Sequence, residues 1–242
     1  MALVYSIVSN SQVLAFVGLG LTFWETIFFL VQPTRHVQWS LLNSTVITSY
    51  VTIDRITRDL KYRGRGLYIP PYPKQAYLPE HLKGLKEMIV YISADESTGF
   101  PSIDEIARNK FLFQNPKGVS ITPPGLGLLE QFENDLKINP TQVNLQTLCE
   151  TLPLLVLENF QLAKEMEMKP ENDRVSLKIV GSIFGSLYLE EGLRSVYTLG
   201  CSLVSAFACA TAKTTGKTVI INTLTFDPKS DTTKVSYRIM KD

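Results

Sequence analysis

The most constraining feature of this sequence is a run of apolar residues close to its start. Residues 13–31, VLAFVGLGLTFWETIFFLV, contain one ionisable side chain, Glu25. As an α-helix with a rise of about 1.5 Å per residue, this run would be about 28 Å long, close to the hydrocarbon thickness of a bilayer, about 30 Å. The run therefore predicts a transmembrane helix, with most of the 242 residues following it on one side of the membrane.

A cleaved signal peptide is the main alternative for this N-terminal run. Such a peptide carries a basic residue before a shorter apolar core, and small residues at its cleavage site. No Lys or Arg precedes residue 13, and the apolar run ends at Gln32-Pro33. We therefore expect an uncleaved, single-pass anchor whose partner is the lipid bilayer.

The distribution of basic residues predicts the orientation of this anchor. Residues 1–12 contain no Lys or Arg, whereas residues 33–66 contain six. Because basic residues concentrate on the cytoplasmic side of a membrane, we expect the N-terminus outside the cell and the bulk of the chain in the cytoplasm. Five of the six form what we call the basic segment: Arg55, Arg58, Lys61, Arg63 and Arg65.

Two roles are open for the basic segment. Each basic side chain near an anionic leaflet contributes about 1 kcal/mol, so the segment could dock on the membrane surface. Alternatively, the segment is a solvated surface that only sets the topology. The net charge of the whole chain is +1, so we expect no nucleic-acid partner.

A stripe of small residues is the second feature of the apolar run. Gly18, Thr22 and Thr26 recur every four residues, and Glu25 lies beside them. Small residues let helices approach closely in lipid, and an intramembrane carboxylate usually faces protein or water. The stripe predicts a contact with a membrane-protein partner or with a second copy of the chain. The alternative is a plain anchor.

The rest of the chain is predicted to be α+β with a mostly antiparallel sheet. An amphipathic helical pattern over residues 37–60 either lies on the membrane surface or forms the first helix of the cytoplasmic region. Short strands are expected at 66–69, 87–93 and 119–122, and helices at 126–136 and within 141–168. The last third predicts a strand at 174–180, with its continuation to 189 left open, a helix at 195–215 and two hairpin strands at 218–226 and 233–240.

These elements suggest four segments. They are an N-terminal tail with the anchor (1–32), an amphipathic juxtamembrane helix with the basic segment (33–66), a segment with short strands (67–140), and a helix followed by a strand–helix–strand–strand domain (141–242).

Candidate chemistry is sparse in this sequence. The three cysteines have no CxxC spacing and the two histidines are far apart, so we expect no metal site and no cofactor. We also expect no catalytic residues. Gly125 lies just before the predicted helix at 126–136, and Gly127 lies in its first turn. The free N–H groups at a helix N-terminus can bind an anion, so these glycines predict an anion site. A tight strand-to-helix turn is the alternative explanation.

Three motifs carry a resemblance to a known group of proteins. They are Y-x-G-x-G-L-Y-I-P-P at 62–71, T-P-P-G-L-G-L-L-E at 122–130, and G-C-S-x-x-S-x-x-A-C-A-x-A-K-x-T-G-K-x-V at 200–219. With the N-terminal span, they make the chain similar to uncharacterised membrane-anchored proteins of archaea, a resemblance that implies no activity. The C-terminal block also resembles the end of V4R-type ligand-binding domains, although no functional residue carries over.

The sequence thus favours a non-enzymatic binding module tethered to the membrane, acting as a subunit of a membrane complex. A different class of function stays open: a small-molecule sensor or enzyme with its pocket between the helix at 195–215 and the C-terminal sheet. A deep pocket lined by polar groups would favour the second.

Overall fold

The structure of the chain, a computed structural model, describes residues 12–30, 39–71, 87–95, 100–101, 105–106, 108, 110–137 and 139–240. The helices are α1 (Gln12–Leu30), α2 (Trp39–Asp59), α3 (Leu126–Leu136), α4 (Leu145–Phe160), α5 (Ser195–Leu199) and α6 (Ser202–Thr215), with 3-10 turns at Pro140–Gln142 and Gly185–Leu189. The strands are β1 (Gly66–Ile69), β2 (Ile89–Ser93), β3 (Leu112–Gln114), β4 (Lys117–Ile121), β5 (Glu165–Glu171), β6 (Arg174–Val180), β7 (Val219–Asp227) and β8 (Thr232–Ile239).

The chain divides into two compact units, Met1–Leu41 and Leu42–Asp242. In the first unit, α1 covers nearly all of the predicted apolar run, and most of the large side chains that the structure describes in it are exposed. Among the described residues, the one helical stretch long and apolar enough to cross a membrane is Ser195–Thr215, and 83% of its apolar window is buried. In α1 the corresponding stretch is shorter, Phe16–Ile27. By this measure the long apolar helix lies in the core of the second unit, not at the N-terminus where the sequence placed it.

The second unit is built on one antiparallel sheet, which confirms the predicted α+β class. Within the described residues the strand order is β3-β4-β2-β1-β7-β8-β6-β5, and every neighbouring pair is antiparallel. The strand pairs β5–β6 and β7–β8 form hairpins that make up one half of the sheet. Pairing of β1 with β7 joins this half to the other half, which consists of β1 to β4.

The main core lies on one face of the sheet, where α6 is its central element. Every residue from Ser202 to Ala212 is buried. The small side chains of α6 let the helix approach the sheet closely, because alanine, serine and cysteine add little bulk between the backbones. Helices α3 and α4 contribute Leu129, Phe132 and Leu152 to the same core.

Helix α2 packs on this core, which decides between the two positions that its sequence left open. Leu42, Val46, Ile53 and Ile56 lie against the core, and Tyr50 is fully buried. The apolar face of α2 is therefore used inside the second unit and is not available to a membrane surface.

The opposite face of the sheet is divided into an apolar half and a polar half. Side chains alternate between faces along a strand. On β1, Tyr68 points into the main core, whereas Leu67 and Ile69 belong to a second apolar cluster with Tyr91 and Phe113. Across β5 to β8 the same face carries charged and hydroxyl side chains instead.

Three predicted elements differ from the structure by more than a shift of one or two residues at their ends. The helical segment at 141–168 ends at Phe160 in a single continuous α4 that contains Pro153, and strand β5 follows. The strand at 174–180 does not continue to 189, because a 3-10 turn occupies Gly185–Leu189. The helix predicted at 195–215 is broken at Gly200. Its φ of 71° and ψ of 165° form a backbone conformation that essentially only glycine adopts.

Candidate functional site

The basic segment lies on the surface where α2 ends and β1 begins. Lys61 adopts a left-handed conformation after α2, and the Tyr62 N–H donates to the Thr57 carbonyl at 2.8 Å. The Arg63 N–H then bonds the Ala94 carbonyl at 3.2 Å, which carries the chain toward the sheet.

All five basic side chains of this segment are exposed. Arg65 donates to the Asn222 side chain at 3.2 Å, and among the described residues none of the five is in an ion pair. The segment is therefore accessible to an anionic surface, and its docking role stays a prediction.

The glycine run before α3 forms a tight contact with α6. A Cβ atom on Gly125 would lie 2.1 Å from the Ala206 backbone nitrogen, so only glycine fits between these backbones. The Gly125 N–H donates to the buried Ser205 Oγ at 3.0 Å and is not free for a ligand. Gly127 is exposed, with no atom within 4 Å of its added Cβ. The geometry at Gly125 therefore favours a tight strand-to-helix turn. The anion site predicted at Gly125 and Gly127 stays a prediction.

A buried network of tyrosine hydroxyls surrounds the break between α5 and α6. Tyr50 donates to the Gly200 carbonyl and Tyr237 to the Val204 carbonyl, both at 2.8 Å, while Tyr68 donates to the Leu199 carbonyl. The Tyr188 hydroxyl accepts from the Cys201 N–H at 3.2 Å. The contacts to Leu199, Gly200 and Cys201 satisfy backbone groups that the helix break would otherwise leave unpaired in the core.

The chemistry of this network is that of a structural core. Burial raises the pKa of all four tyrosines well above the ordinary value, so the hydroxyls stay protonated. The interface between α6 and the sheet is filled by these rings and by small side chains. This packing does not favour a ligand pocket between α6 and the C-terminal sheet.

The three cysteines are buried free thiols. Burial raises the pKa of Cys149 to about 12, and it also raises the pKa values of Cys201 and Cys209. Among the described residues, no group of three His, Cys, Asp or Glu side chains could hold a metal ion.

The stripe in α1 uses its hydroxyl groups within the helix. Thr22 Oγ1 donates to the Gly18 carbonyl at 3.1 Å, and Thr26 Oγ1 donates to the Thr22 carbonyl at 2.7 Å. The side chains of Thr22, Glu25 and Thr26 are exposed. A partner helix would therefore meet the stripe mainly through close packing, with the Glu25 carboxyl as its polar group.

The sequence analysis missed a group of polar residues on the sheet. Lys178 on β6 lies directly opposite Lys234 on β8, and Ser176 lies opposite Ser236. The period-2 alternation of RVSLKIV and TTKVSYRI was the available signal, since it places these side chains on one face. The pairing of the two strands, however, is visible only in the fold.

Comparison with known proteins gives one match. A family described as a domain of unknown function, DUF7982, matches residues 7–238. The chain belongs to this family. The DUF7982 match runs through both α1 and the sheet unit. No curated protein and no solved structure matches the chain. The resemblance drawn from the sequence is thus shown only as far as a family of unknown function, and its archaeal, membrane-anchored and V4R-type aspects stay predictions.

Proposed function

We propose that this DUF7982 protein is a membrane-anchored, non-enzymatic binding module. In this proposal α1 crosses the cell membrane, the N-terminus lies outside, and the α+β unit presents its surface to a partner in the cytoplasm. The observation that carries the proposal is the exposure of seven large apolar side chains among those that the structure describes in α1. They are Val13, Phe16, Val17, Leu19, Leu21, Phe23 and Trp24.

The arrangement of these side chains supports a helix that faces lipid on one side and protein on the other. At about 100° per residue, the seven large apolar residues cover an arc of about 200°. Gly18, Thr22, Glu25 and Thr26 fall within about 100° of one another in the remaining arc, which by the same angles also contains Leu14 and Phe29. Burying that carboxyl group against a protein partner avoids its exposure to hydrocarbon.

An exposed apolar surface made of seven large side chains is expected to contact lipid or another protein. Contiguous apolar patches on soluble proteins are small, and larger ones mark membrane or protein contacts. The basic segment supports the cytoplasmic position of the second unit. Its five exposed side chains follow α1 in sequence, and basic residues that flank a membrane span concentrate on its cytoplasmic side.

The second unit supports partner binding over catalysis. Its buried hydroxyl groups bond backbone carbonyls, and its thiols are protonated in the core. The alternative of a small-molecule sensor or enzyme would need a pocket beside α6, and the described packing there is dense. A partner-binding subunit of a membrane complex is therefore the function that this geometry supports best.

Alkaline carbonate extraction of cell membranes tests the anchor. We expect the full-length chain to stay in the membrane pellet, as an integral protein does. A variant with Leu19→Lys and Phe23→Lys should leave the pellet, since each lysine at a helix centre disfavours insertion by about 2.5–3.5 kcal/mol.

Val51→Lys is the matched control, because Val51 is an exposed apolar residue of α2 in the second unit. This variant should fractionate like the wild-type chain. Release of the wild-type chain by carbonate would overturn the proposed anchor.

A further inference from the structure

The polar half of the open sheet face carries two lysines that oppose each other. The β6–β8 register places Lys178 directly across from Lys234, and the β7–β8 register places Thr225 on the other side of Lys234. The next row along the face contains Ser176, Ser236 and Thr223. Directly opposed like charges destabilise a sheet, so this arrangement has a cost in the unliganded protein.

Two acids interact with these lysines over a longer range than an ion pair. The charge of Lys178 contributes to the lowered pKa of Glu167, after the larger effect of Lys169, and the charge of Lys234 contributes to the lowered pKa of Asp227, after the larger effect of Ser230. Glu167 lies across from Lys178 on β5, but its carboxylate bonds Lys169 Nζ at 2.5 Å. The hydrogen bond from Lys169 and its positive charge lower the pKa of Glu167, which keeps this pair ionised. Within the part of the chain that the structure describes, neither Lys178 nor Lys234 is in an ion pair.

An unsatisfied donor lies on the same face of β8. Arg238 is two residues beyond Ser236, and its Nε is buried with no hydrogen-bond partner among the described residues. A buried donor without a partner is unfavourable by about 1–3 kcal/mol. The row Lys234, Ser236 and Arg238 therefore presents positive charge and hydrogen-bond donors over about 13 Å of one strand.

The shape and composition of this face select a small ligand. The lysine, serine and threonine side chains line a shallow, open concavity over β5 to β8, together with Glu167, which is paired with Lys169. None of its lining residues is aromatic, so it offers no ring on which a nucleic-acid base could stack. On the outer strand β5, Glu165 and Glu171 lie on the same face outside this concavity, where they would repel a broad anionic surface such as a bilayer.

We propose that this concavity binds a phosphoanhydride chain, with the Lys178 and Lys234 ammonium groups contacting the phosphates. Lysine is a common phosphate ligand, and the Ser176, Ser236 and Thr223 hydroxyls supply neutral donors beside it. The bound anion relieves the repulsion between the two lysines and extends toward Arg238. This site goes beyond the proposed anchor and is independent of it, because it lies wholly in the second unit.

Titration calorimetry of the full-length chain in non-ionic detergent tests the site, with inorganic tripolyphosphate as the probe at about 0.15 M salt. We expect saturable binding by the wild-type chain. The double variant Lys178→Gln/Lys234→Gln should bind about tenfold more weakly or worse, because it loses two charge-assisted contacts. The matched control is Lys229→Gln, which removes the same charge from the exposed β7–β8 hairpin outside the concavity.

Thermal unfolding gives a second readout that shows whether the variants are folded. Without ligand, the double variant should unfold at or above the wild-type temperature. Tripolyphosphate should raise the unfolding temperature of the wild-type chain and of Lys229→Gln, and raise that of the double variant much less. A parallel titration with ATP distinguishes the source: equal affinity identifies the phosphate chain alone, and tighter binding identifies a nucleotide. Absence of saturable binding by the wild-type chain, or equal weakening by Lys229→Gln, would overturn the proposal.

Discussion

Replacing Gly125 with alanine tests how α3 is joined to α6. The backbone of Gly125 has a φ of −97°, which alanine also adopts, so the effect of the substitution is steric. The new methyl group would lie 2.1 Å from the Ala206 nitrogen and 2.4 Å from the Ser202 carbonyl oxygen. Both are backbone atoms in the buried part of α6, and they have no side-chain freedom with which to move aside.

The expected loss of stability combines two effects. Overpacking a well-packed core costs about 1–3 kcal/mol, and weakening the buried bond from the Gly125 N–H to Ser205 adds about 1 kcal/mol or more. We therefore expect the free energy of unfolding to fall by about 2–4 kcal/mol. For a unit of this size, that loss corresponds to a fall in unfolding temperature of about 4–16 °C.

Thermal unfolding followed by circular dichroism measures the effect. Gly127→Ala is the matched control, since a methyl group there meets no atom within 4 Å. That variant should be as stable as the wild type or more stable by about 0.5–1 kcal/mol, because alanine favours a helix over glycine. Equal unfolding temperatures for Gly125→Ala and Gly127→Ala would refute the close packing of α3 on α6.

Three further predictions concern the cysteines, the stripe and the basic segment. Cys201 and Cys209 should resist a bulky thiol reagent in the native protein, because burial raises their pKa values and blocks access; rapid labelling would contradict this. Gly18→Ile with Thr22→Leu should weaken self-association or partner capture in a membrane assay, and no change would make α1 a plain anchor. A fragment of residues 34–242 should co-sediment with anionic vesicles at low salt, and it should lose most of this binding when four residues of the basic segment are replaced by Gln. If the unmodified fragment stays in the supernatant, the basic segment only sets the membrane topology. The four residues are Arg58, Lys61, Arg63 and Arg65.

The sequence predicts much of the second unit where local pattern and packing agree. The strand at Arg174–Val180 and the helix at Leu126–Leu136 match their predicted bounds, because their apolar periodicity is the periodicity of their burial. The final hairpin is displaced by only one residue at each strand end. In these elements, one buried face decides the secondary structure.

Strand β5 was missed because its residues favour a helix by intrinsic propensity. Its sequence EMEMKPE is rich in Glu, Met and Lys, which are good helix formers. Pairing with β6 overrides that preference, since it turns Met166 and Met168 toward the core and leaves the charged side chains outside. The opposed lysines of the open face were missed for a related reason: strand register is a tertiary property that spacing along the chain does not encode.

The position of α2 also depends on tertiary contacts that the sequence pattern does not reveal. Its amphipathic pattern is equally suited to a membrane surface and to a protein core. The contacts that decide are distant in sequence, such as the bond from Tyr50 to Gly200 and the bonds from Ser195 to Asp54.

The central claim of this account is that α1 anchors the chain and leaves the α+β unit in the cytoplasm. A reporter fused after Asp242, combined with protease treatment of intact cells, measures this directly. We expect the C-terminal unit to be protected from external protease and the reporter to show a cytoplasmic position. Digestion of the C-terminal unit from outside the cell, or recovery of the intact chain in the soluble fraction, would contradict the account.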